Sequence, residues 1–473
     1  MKVLKNYLFS SSYQLLLVIV PFITTPYLSR VLGSGGIGLN TFTASIVGYF
    51  VLIATLGTNL YGNREIAYYQ NNKERRSKVF WEISFLSWGS SIVTLLAFLI
   101  FLLFIKQYKF LYLLQGIAIL STMLDISWYF MGVEKFKVPV LRNFIFKILT
   151  VILIFAIVHR PSDLYKYVAI MMFGGLIGNL SLWPYLRKEI YGPNFKKITI
   201  KRHVLPSIML FLPFASLSIY AYGQKTLIGL FDSISHSGFF FQSDNLIKIV
   251  LSLITSVGTV MLPHMSGLKA RGDFDGIKKN LKKSLNISIG ISSALCFGIA
   301  GVSIKFAPFF FGNQFKLVGS ILFIESFSLF FMAASNIFQT HYFLPLNKLN
   351  RLTLSMVYGA IVNLLLNVLL IPIFGVIGAT FSVVFTELLM SSYQFYFVKV
   401  NLKYDKLLDG IWKYLVAGIV MFIVVFEMNL NFDMSIFQLA FQIITGGIIY
   451  LLMNIILKTE IWAMLIALIK DRN

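Results

Sequence analysis

Apolar residues in this chain fall into long blocks rather than alternating with polar ones. The blocks lie at about 8–29, 39–60, 79–105, 110–131, 143–158 and 164–186, then at about 204–231, 238–262, 284–308, 317–344, 352–371, 376–398, 411–428 and 435–457. A helix needs about 20 mostly apolar residues to cross a hydrocarbon core about 30 Å thick. The pattern therefore predicts an all-α, polytopic integral membrane protein with about fourteen transmembrane helices.

The blocks also repeat. Pro21-Phe22 in "VPFITTPYLS" has a counterpart in Pro213-Phe214, "GIGLNTFTASIV" resembles "HSGFFFQSDNLIKIV", and Arg142 and Arg351 each open a span at the matching place. The expected organisation is two pseudo-symmetric six-helix lobes, residues 1–195 and 196–400. An additional helix pair and cytoplasmic tail would occupy 401–473. Parallel repeats of this kind are characteristic of transporters, with the substrate path between the repeats.

Composition narrows the class. Of 473 residues, 57% are hydrophobic and 13% charged, the latter about half the share of a soluble domain. A cytosolic enzyme, a secreted disulfide scaffold and a disordered tail protein are excluded. The single cysteine, Cys296, and five scattered histidines offer no metal-ligand spacing, so neither metal nor cofactor is expected. Lys2 and Lys5 precede an apolar stretch that contains Pro21 and Pro26 and lacks a small-x-small cleavage site. That stretch reads as a retained first span rather than a signal peptide.

The net charge of +22 is placed unevenly. Loops on the same side as the N-terminus hold thirty-one of the Lys and Arg residues, from Lys2 and Lys5 through Arg187–Arg202 and Lys269–Lys283 to Lys470 and Arg472. The opposite loops hold six. By the positive-inside rule both termini are cytoplasmic. The basic residues thus read as topological signals and contacts to anionic membrane lipids, and no nucleic-acid partner is expected.

Polar residues inside the blocks are the candidate chemistry, because hydrocarbon makes them costly unless they face a cavity or a partner helix. In the eighth block, Asn245, Lys248, Ser252, Thr255 and Thr259 are spaced for one helix face, with Asp244 one turn before Lys248. The second block carries Thr41, Ser45, Gly48, Thr55 and Asn59, the seventh Ser218, Tyr222 and Lys225, and Arg30 closes the first. Ser and Thr in such stripes are commonly helix-packing residues. A lysine at midspan costs about 2.5–3.5 kcal/mol on the insertion scale, so Lys225 and Lys248 need a reason. Snorkelling accounts for Lys225 better than for Lys248, whose structural alternative is an i,i+4 pair with Asp244. Glu325 and Glu387 lie deep enough to bind a coupling H+ or Na+. Glu82, Lys147 and Lys305 lie near block ends, where snorkelling or interfacial anchoring is expected. Asp125 sits beside Trp128, which reads as an interfacial anchor. There is no P-loop, H-E-x-x-H or G-x-S-x-G, and "GSGGIG" at 33–38 reads as a flexible turn between spans.

"YLSRVLGSGGIGLNTFTASIVGYFVLIATLG" at 27–57, "YGNREIA" at 61–67 and "LDISWYFMGVEKFKVPVLRN" at 124–143 resemble Wzx-type polysaccharide repeat-unit flippases. These belong to the MOP (multidrug/oligosaccharidyl-lipid/polysaccharide) superfamily. The resemblance runs over essentially the whole chain and is most specific in the first 70 residues. It implies a flippase of a bacterial cytoplasmic membrane, working without a cofactor and by alternating access. It would carry an undecaprenyl-pyrophosphate-linked oligosaccharide to the outer leaflet for capsule, exopolysaccharide or cell-wall polysaccharide assembly. H+ or Na+ coupling and contact with polysaccharide polymerase machinery are compatible with it. Helices 1, 2, 7 and 8 would line a central cationic cavity, the four the polar stripes also mark. Arg30 and Arg64 match family motifs; Arg64, together with Asp125 and Trp128 of the third matching segment, is expected as a gating or family-motif residue. Lys225 and Lys248 are nominated on physical grounds alone, as cations for the pyrophosphate. The alternatives are a peptidoglycan lipid-precursor flippase, a MATE-like cation-coupled small-molecule antiporter, and, as an enzyme, a membrane glycosyltransferase or polymerase.

Overall fold

The computed structural model describes residues 2–463, without the side chains of 2–18, 197, 213, 256, 257, 259 and 260. The basic residues Lys470 and Arg472, most of the expected terminal tail and the Thr259 side chain lie outside the described residues. The described residues are overwhelmingly helical, with no strand. In lipid this is the arrangement that satisfies every backbone N–H and C=O within one segment.

Close packing divides the chain after Thr226 into two compact units. Unit 1 contains α1 (Lys2–Thr55), α2 (Thr58–Tyr68), α3 (Lys73–Phe104), α4 (Lys109–Met123), α5 (Ser127–Gly132), α6 (Lys137–Ile157), α7 (Leu164–Leu180), α8 (Trp183–Leu186) and most of α9 (Lys201–Phe231). Unit 2 contains the end of α9, then α10 (Ile234–Ala270), α11 (Phe274–Phe311), α12 (Lys316–Ser326), α13 (Ser328–Phe338), α14 (Leu349–Leu402), α15 (Ile411–Asn431) and α16 (Ile436–Ile456).

Among the described residues, nine helical stretches are long and apolar enough to span a membrane, or up to eleven when two bent pairs are each taken as one span. Fourteen separate spans are expected from the sequence, and two kinked runs account for part of the difference. α1 and α14 each run for 54 residues. At 1.5 Å per residue that is about 80 Å, far beyond a bilayer core of about 30 Å, so each is two helices meeting at a break. In α1 the break is Gly33, with φ +68°. The glycine-rich segment expected as a turn is thus one non-helical residue, with helix resuming at Ser34. In α14 the break is Gly375, with φ +57°, a conformation that glycine adopts without a Cβ penalty. The Asp232 carboxylate accepts from the freed Val376 N–H at 2.7 Å and hydrogen-bonds His236 Nδ1 at 2.8 Å. A carboxylate is thereby placed at a helix start, where the dipole favours it.

In unit 1 the core gathers aromatic rings around Phe80, Trp128 and Tyr129. Phe80 and Trp128 stack with centroids 5.4 Å apart. Trp128 is 2% exposed, which corrects its reading as an interfacial anchor. Its indole lies close against Gly62, where a Cβ would sit 2.5 Å from the ring. Two segments carrying the family resemblance, "YGNREIA" and "LDISWYFMG", therefore pack directly on each other. Asp125 starts α5 by accepting from the Ser127 N–H at 2.8 Å, and its backbone carbonyl takes the Trp128 indole N–H at 3.0 Å.

In unit 2, α11 is the central post. α15 joins it through Ser293 Oγ, which donates to the Tyr414 carbonyl at 2.7 Å. α16 joins through Tyr450 Oη, which donates to the Gly290 carbonyl at 2.7 Å. Lys305 near the far end of α11 donates to the carbonyls of Leu430 (2.8 Å) and Phe432 (2.9 Å), closing the end of α15. After α13 comes a π-turn, Gln339–Phe343, in which buried His341 bridges Ser284 Oγ (2.8 Å) and Thr340 Oγ1 (3.0 Å).

Candidate functional site

The expected site residues divide between the two units, and each unit is built differently. In unit 1 the second half of α1 lies along α9. Ser45 Oγ and Thr226 Oγ1 are 2.8 Å apart. One turn on, Gly48 faces the Tyr222 ring so closely that a Cβ would stand 2.7 Å from it. Tyr49 meets the same ring edge-on at 5.7 Å. Farther along, Ser207 Oγ donates to the Leu56 carbonyl at 2.7 Å. Small residues on one helix and rings on the other make a close seam, a common packing device between membrane helices. Lys225, half-buried, follows Tyr222 by one turn.

Other expected members of this face are local. Thr41 is buried and donates to its own helix at the Ile37 carbonyl, 2.8 Å away, satisfying its hydroxyl without a partner helix. Asn59 lies beyond the α1 end on α2, after Leu56 and Gly57 turn to positive φ. It therefore drops out of helical register with Thr41, Ser45 and Thr55. Arg30 is exposed, before the Gly33 break.

Unit 2 is charged. Lys248 Nζ binds Asp244 Oδ2 at 2.8 Å, with 48% of the lysine side chain exposed and 10% of the aspartate. The i,i+4 pairing weighed from the sequence is thus present. Glu325 and Glu387 act electrostatically on the same lysine, so three carboxylates act on one cation. Glu325 is buried at the junction of α12 and α13, where the helices bend by 43°, and accepts from Ser243 Oγ. Glu387 on α14 is buried. Asn363 Nδ2 donates to Thr386 Oγ1 at 3.2 Å beside it, and Asn367 Nδ2 to Asn363 Oδ1 at 2.6 Å. Asn245 is half-buried. Ser252 and Thr255 bond back to their own helix at the carbonyls of Ile249 and Ser252.

The sequence reading missed one cluster. Glu82, which its place near a span end predicts to be interfacial or snorkelling, is 0% exposed. Its carboxylate accepts from the Thr199 N–H at 2.6 Å and from the Arg202 guanidinium, and hydrogen-bonds His203 Nε2 at 3.0 Å. His203 Nδ1 is in turn 2.7 Å from Tyr61 Oη, and Arg64 of the family motif lies over the Tyr61 ring at 5.2 Å while pairing with Glu65 at 3.0 Å. The cluster ties the start of α9 to α2 and α3. An acidic residue opposite a basic loop is its visible signal, and Lys78 one turn away is a local ion-pair partner at 3.9 Å, but the hydrogen-bond partners of Glu82 are more than a hundred residues away.

The model of a family described as polysaccharide biosynthesis proteins matches residues 3–269, more than half of the chain. The chain belongs to this family. It is 25% identical over 387 residues to a putative O-antigen transporter of Shigella dysenteriae, covering 80% of this chain and 96% of that one. Among solved structures it resembles the lipid II flippase MurJ in an inward closed conformation, with TM-score 0.77 and 18% identity over 95% of this chain and 98% of that one. An inward-facing multidrug resistance MATE transporter of the MOP superfamily follows at TM-score 0.61 and 11% identity, covering 82% of this chain and 98% of that one. The polysaccharide biosynthesis family thus has here the MOP transporter fold, in agreement with the resemblance to Wzx-type flippases, and this member is a multi-pass membrane protein.

Proposed function

We propose that the protein is a flippase that moves an undecaprenyl-pyrophosphate-linked oligosaccharide from the cytoplasmic to the outer leaflet of a bacterial cytoplasmic membrane. It does so by alternating access, for assembly of a capsule, exopolysaccharide or cell-wall polysaccharide, with both termini cytoplasmic. The reading rests chiefly on similarity along four-fifths of the chain to a putative O-antigen transporter. The polar faces built into otherwise apolar helices support it.

A pyrophosphate cannot enter hydrocarbon without compensating charge or hydrogen bonds. Arg30 and Lys225 of unit 1 supply exposed or half-buried cations for it, and the seam at Ser45 and Tyr222 opens and closes as the protein changes state. In unit 2, Asp244 holds Lys248. When Glu325 or Glu387 takes up H+ or Na+, the negative field around that lysine weakens and the ion pair becomes exchangeable for substrate phosphate. This assigns the two acidic residues to ion coupling and Lys248 to substrate contact.

The test is to deplete the protein and locate the lipid-linked oligosaccharide with a membrane-impermeant sugar-modifying enzyme. Accumulation in the inner leaflet, reversed by wild type but not by Arg30→Ala/Lys248→Ala, is the expected result. Normal delivery without the protein, in a strain with no second flippase, overturns it. Arrest of cell-wall synthesis with unchanged oligosaccharide delivery points instead to a peptidoglycan precursor as the cargo.

A further inference from the structure

Two cavities of opposite chemistry follow one another along α11 in unit 2. The first, about 570 Å³, is lined by Lys278, Lys279, Lys282 and Lys283 together with Asp275, Tyr404 and Glu460. The second, about 320 Å³, is lined by Leu285 and Ile289 of α11, Phe330 and Phe338 of α13, Leu408 and Ile411, with α14 closing one side. Lys278, Lys282, Leu285 and Ile289 are spaced four, three and four, so they share one helix face. The step from Lys282 to Leu285 is about 4.5 Å along the axis. Tyr404 and Leu408 flank and end the 3-10 turn Asp405–Leu408, so the same two walls, α11 and the 404–411 segment, bound both cavities.

The charges at the mouth are only partly balanced. Lys278 pairs with Asp275 at 3.2 Å, and Lys282 stands 3.9 Å from Asp409 and 3.8 Å from Glu460 with 21% of its side chain exposed. Lys279 and Lys283 are exposed and have no ion pair among the described residues. The inner cavity offers hydrocarbon and rings, with only Ser391 and Ser392 of α14 as polar lining. A free anion satisfies the first cavity alone, and an apolar solute the second alone. An amphiphile with an anionic head and a hydrocarbon chain satisfies both.

We propose that this double cavity is a binding site for an anionic glycerophospholipid of the surrounding membrane. Its phosphate rests on Lys279 and Lys283 beside Lys282, and one acyl chain lies along Leu285 and Ile289 under Leu408 and Ile411. None of these residues belongs to the polar faces of α1, α9 or α10, so the site is separate from the proposed transport machinery and does not depend on what is transported. Because α15 forms one wall, the bound lipid also fastens α15 to α11.

The full chain reconstituted in phosphatidylcholine nanodiscs, with or without phosphatidylglycerol, tests this by native mass spectrometry of retained lipid and by thermal unfolding. Wild type retains phosphatidylglycerol selectively and unfolds at a higher temperature when it is present. Lys279→Gln/Lys283→Gln lowers retention about thirty-fold, the loss expected for removing two phosphate contacts near a membrane surface. Ala334→Phe, which fills the inner cavity from α13, lowers it comparably with every lysine in place. Unfolding in phosphatidylcholine alone, unchanged in the lysine variant because both residues are exposed, verifies the fold. Full retention by either variant overturns the proposal, since the head or the chain then makes no specific contact. Displacement of the lipid by inorganic phosphate also overturns it. So does displacement by undecaprenyl pyrophosphate that phosphatidylglycerol does not reverse, because the site would then serve the cargo.

Discussion

Glu82 in unit 1 and Glu387 in unit 2 are both buried carboxylates on membrane-spanning helices, yet their surroundings differ in kind. Glu82 takes a backbone N–H, a guanidinium and an imidazole, all from the segment that starts α9. Glu387 has no hydrogen bond among the described residues and shares a single lysine with two other acids. A carboxylate saturated with donors is locked in one state and holds the backbone around it. One that shares its counter-charge gains or loses a proton or cation with little rearrangement. The contrast marks Glu82 as a staple and fits the proposal that the group around Lys248 is the part that responds to ions.

The largest expected effect follows from the staple. Glu82→Ala strips Arg202 and His203 of their shared acceptor; Arg202, 46% exposed, is rehydrated, but the buried His203 loses a partner, a loss of about 1–3 kcal/mol. The measurement is folded yield and unfolding temperature in detergent. Glu387→Gln should leave unfolding within about 1 kcal/mol of wild type, as an isosteric change without a lost hydrogen bond should, while altering the ion dependence of transport. Equal destabilisation by the two variants would erase the contrast.

Next in size is Lys248→Ala, which removes the cation that Asp244 binds directly. Transport should fall by at least about ten-fold, equivalent to about 1.4 kcal/mol, and Asp244→Asn in the same chain should restore part of it. The expected coupling between the two changes is about 0.5–3 kcal/mol, and strictly additive effects would break the pairing argument.

The unit 1 seam gives a sharper but smaller readout. Ser45→Cys/Thr226→Cys places two thiols where two hydroxyls lie 2.8 Å apart, and the native Cys296 is buried. Oxidation should cross-link the pair and stop transport, with recovery on reduction. Undiminished transport by the cross-linked protein would remove any opening of this seam from the cycle. Ser45→Ala alone should cost only about 1 kcal/mol, the net worth of one hydrogen bond, visible as a slight fall in unfolding temperature.

The polar positions were legible in the sequence to differing degrees. Asp244 and Lys248 could be paired from i,i+4 spacing because both partners lie on one helix. Ser45 and Tyr222 could be nominated as polar positions, but their meeting on one seam could not. Trp128 and Glu82 were misjudged for a common reason. Both lie near span ends, where exposure to the interface is the ordinary expectation, and both are covered by distant segments, Trp128 by α2 and Glu82 by the start of α9.

The hydrophobic blocks by themselves determined that this chain is helical and crosses the membrane many times. Lipid permits no unsatisfied backbone, so a long apolar run has few alternatives to a helix. They also carried the breaks at Gly33 and Gly375, since glycine alone adopts such backbone readily. Only the tertiary structure decided which buried charges are locked and which are shared. Glu82 finds His203 across 121 residues, while Lys248 on α10 feels the charges of Glu325 at the α12–α13 junction and Glu387 on α14. Such charge energies depend on separations of a few ångströms and on local desolvation, and neither quantity is encoded in spacing along one helix.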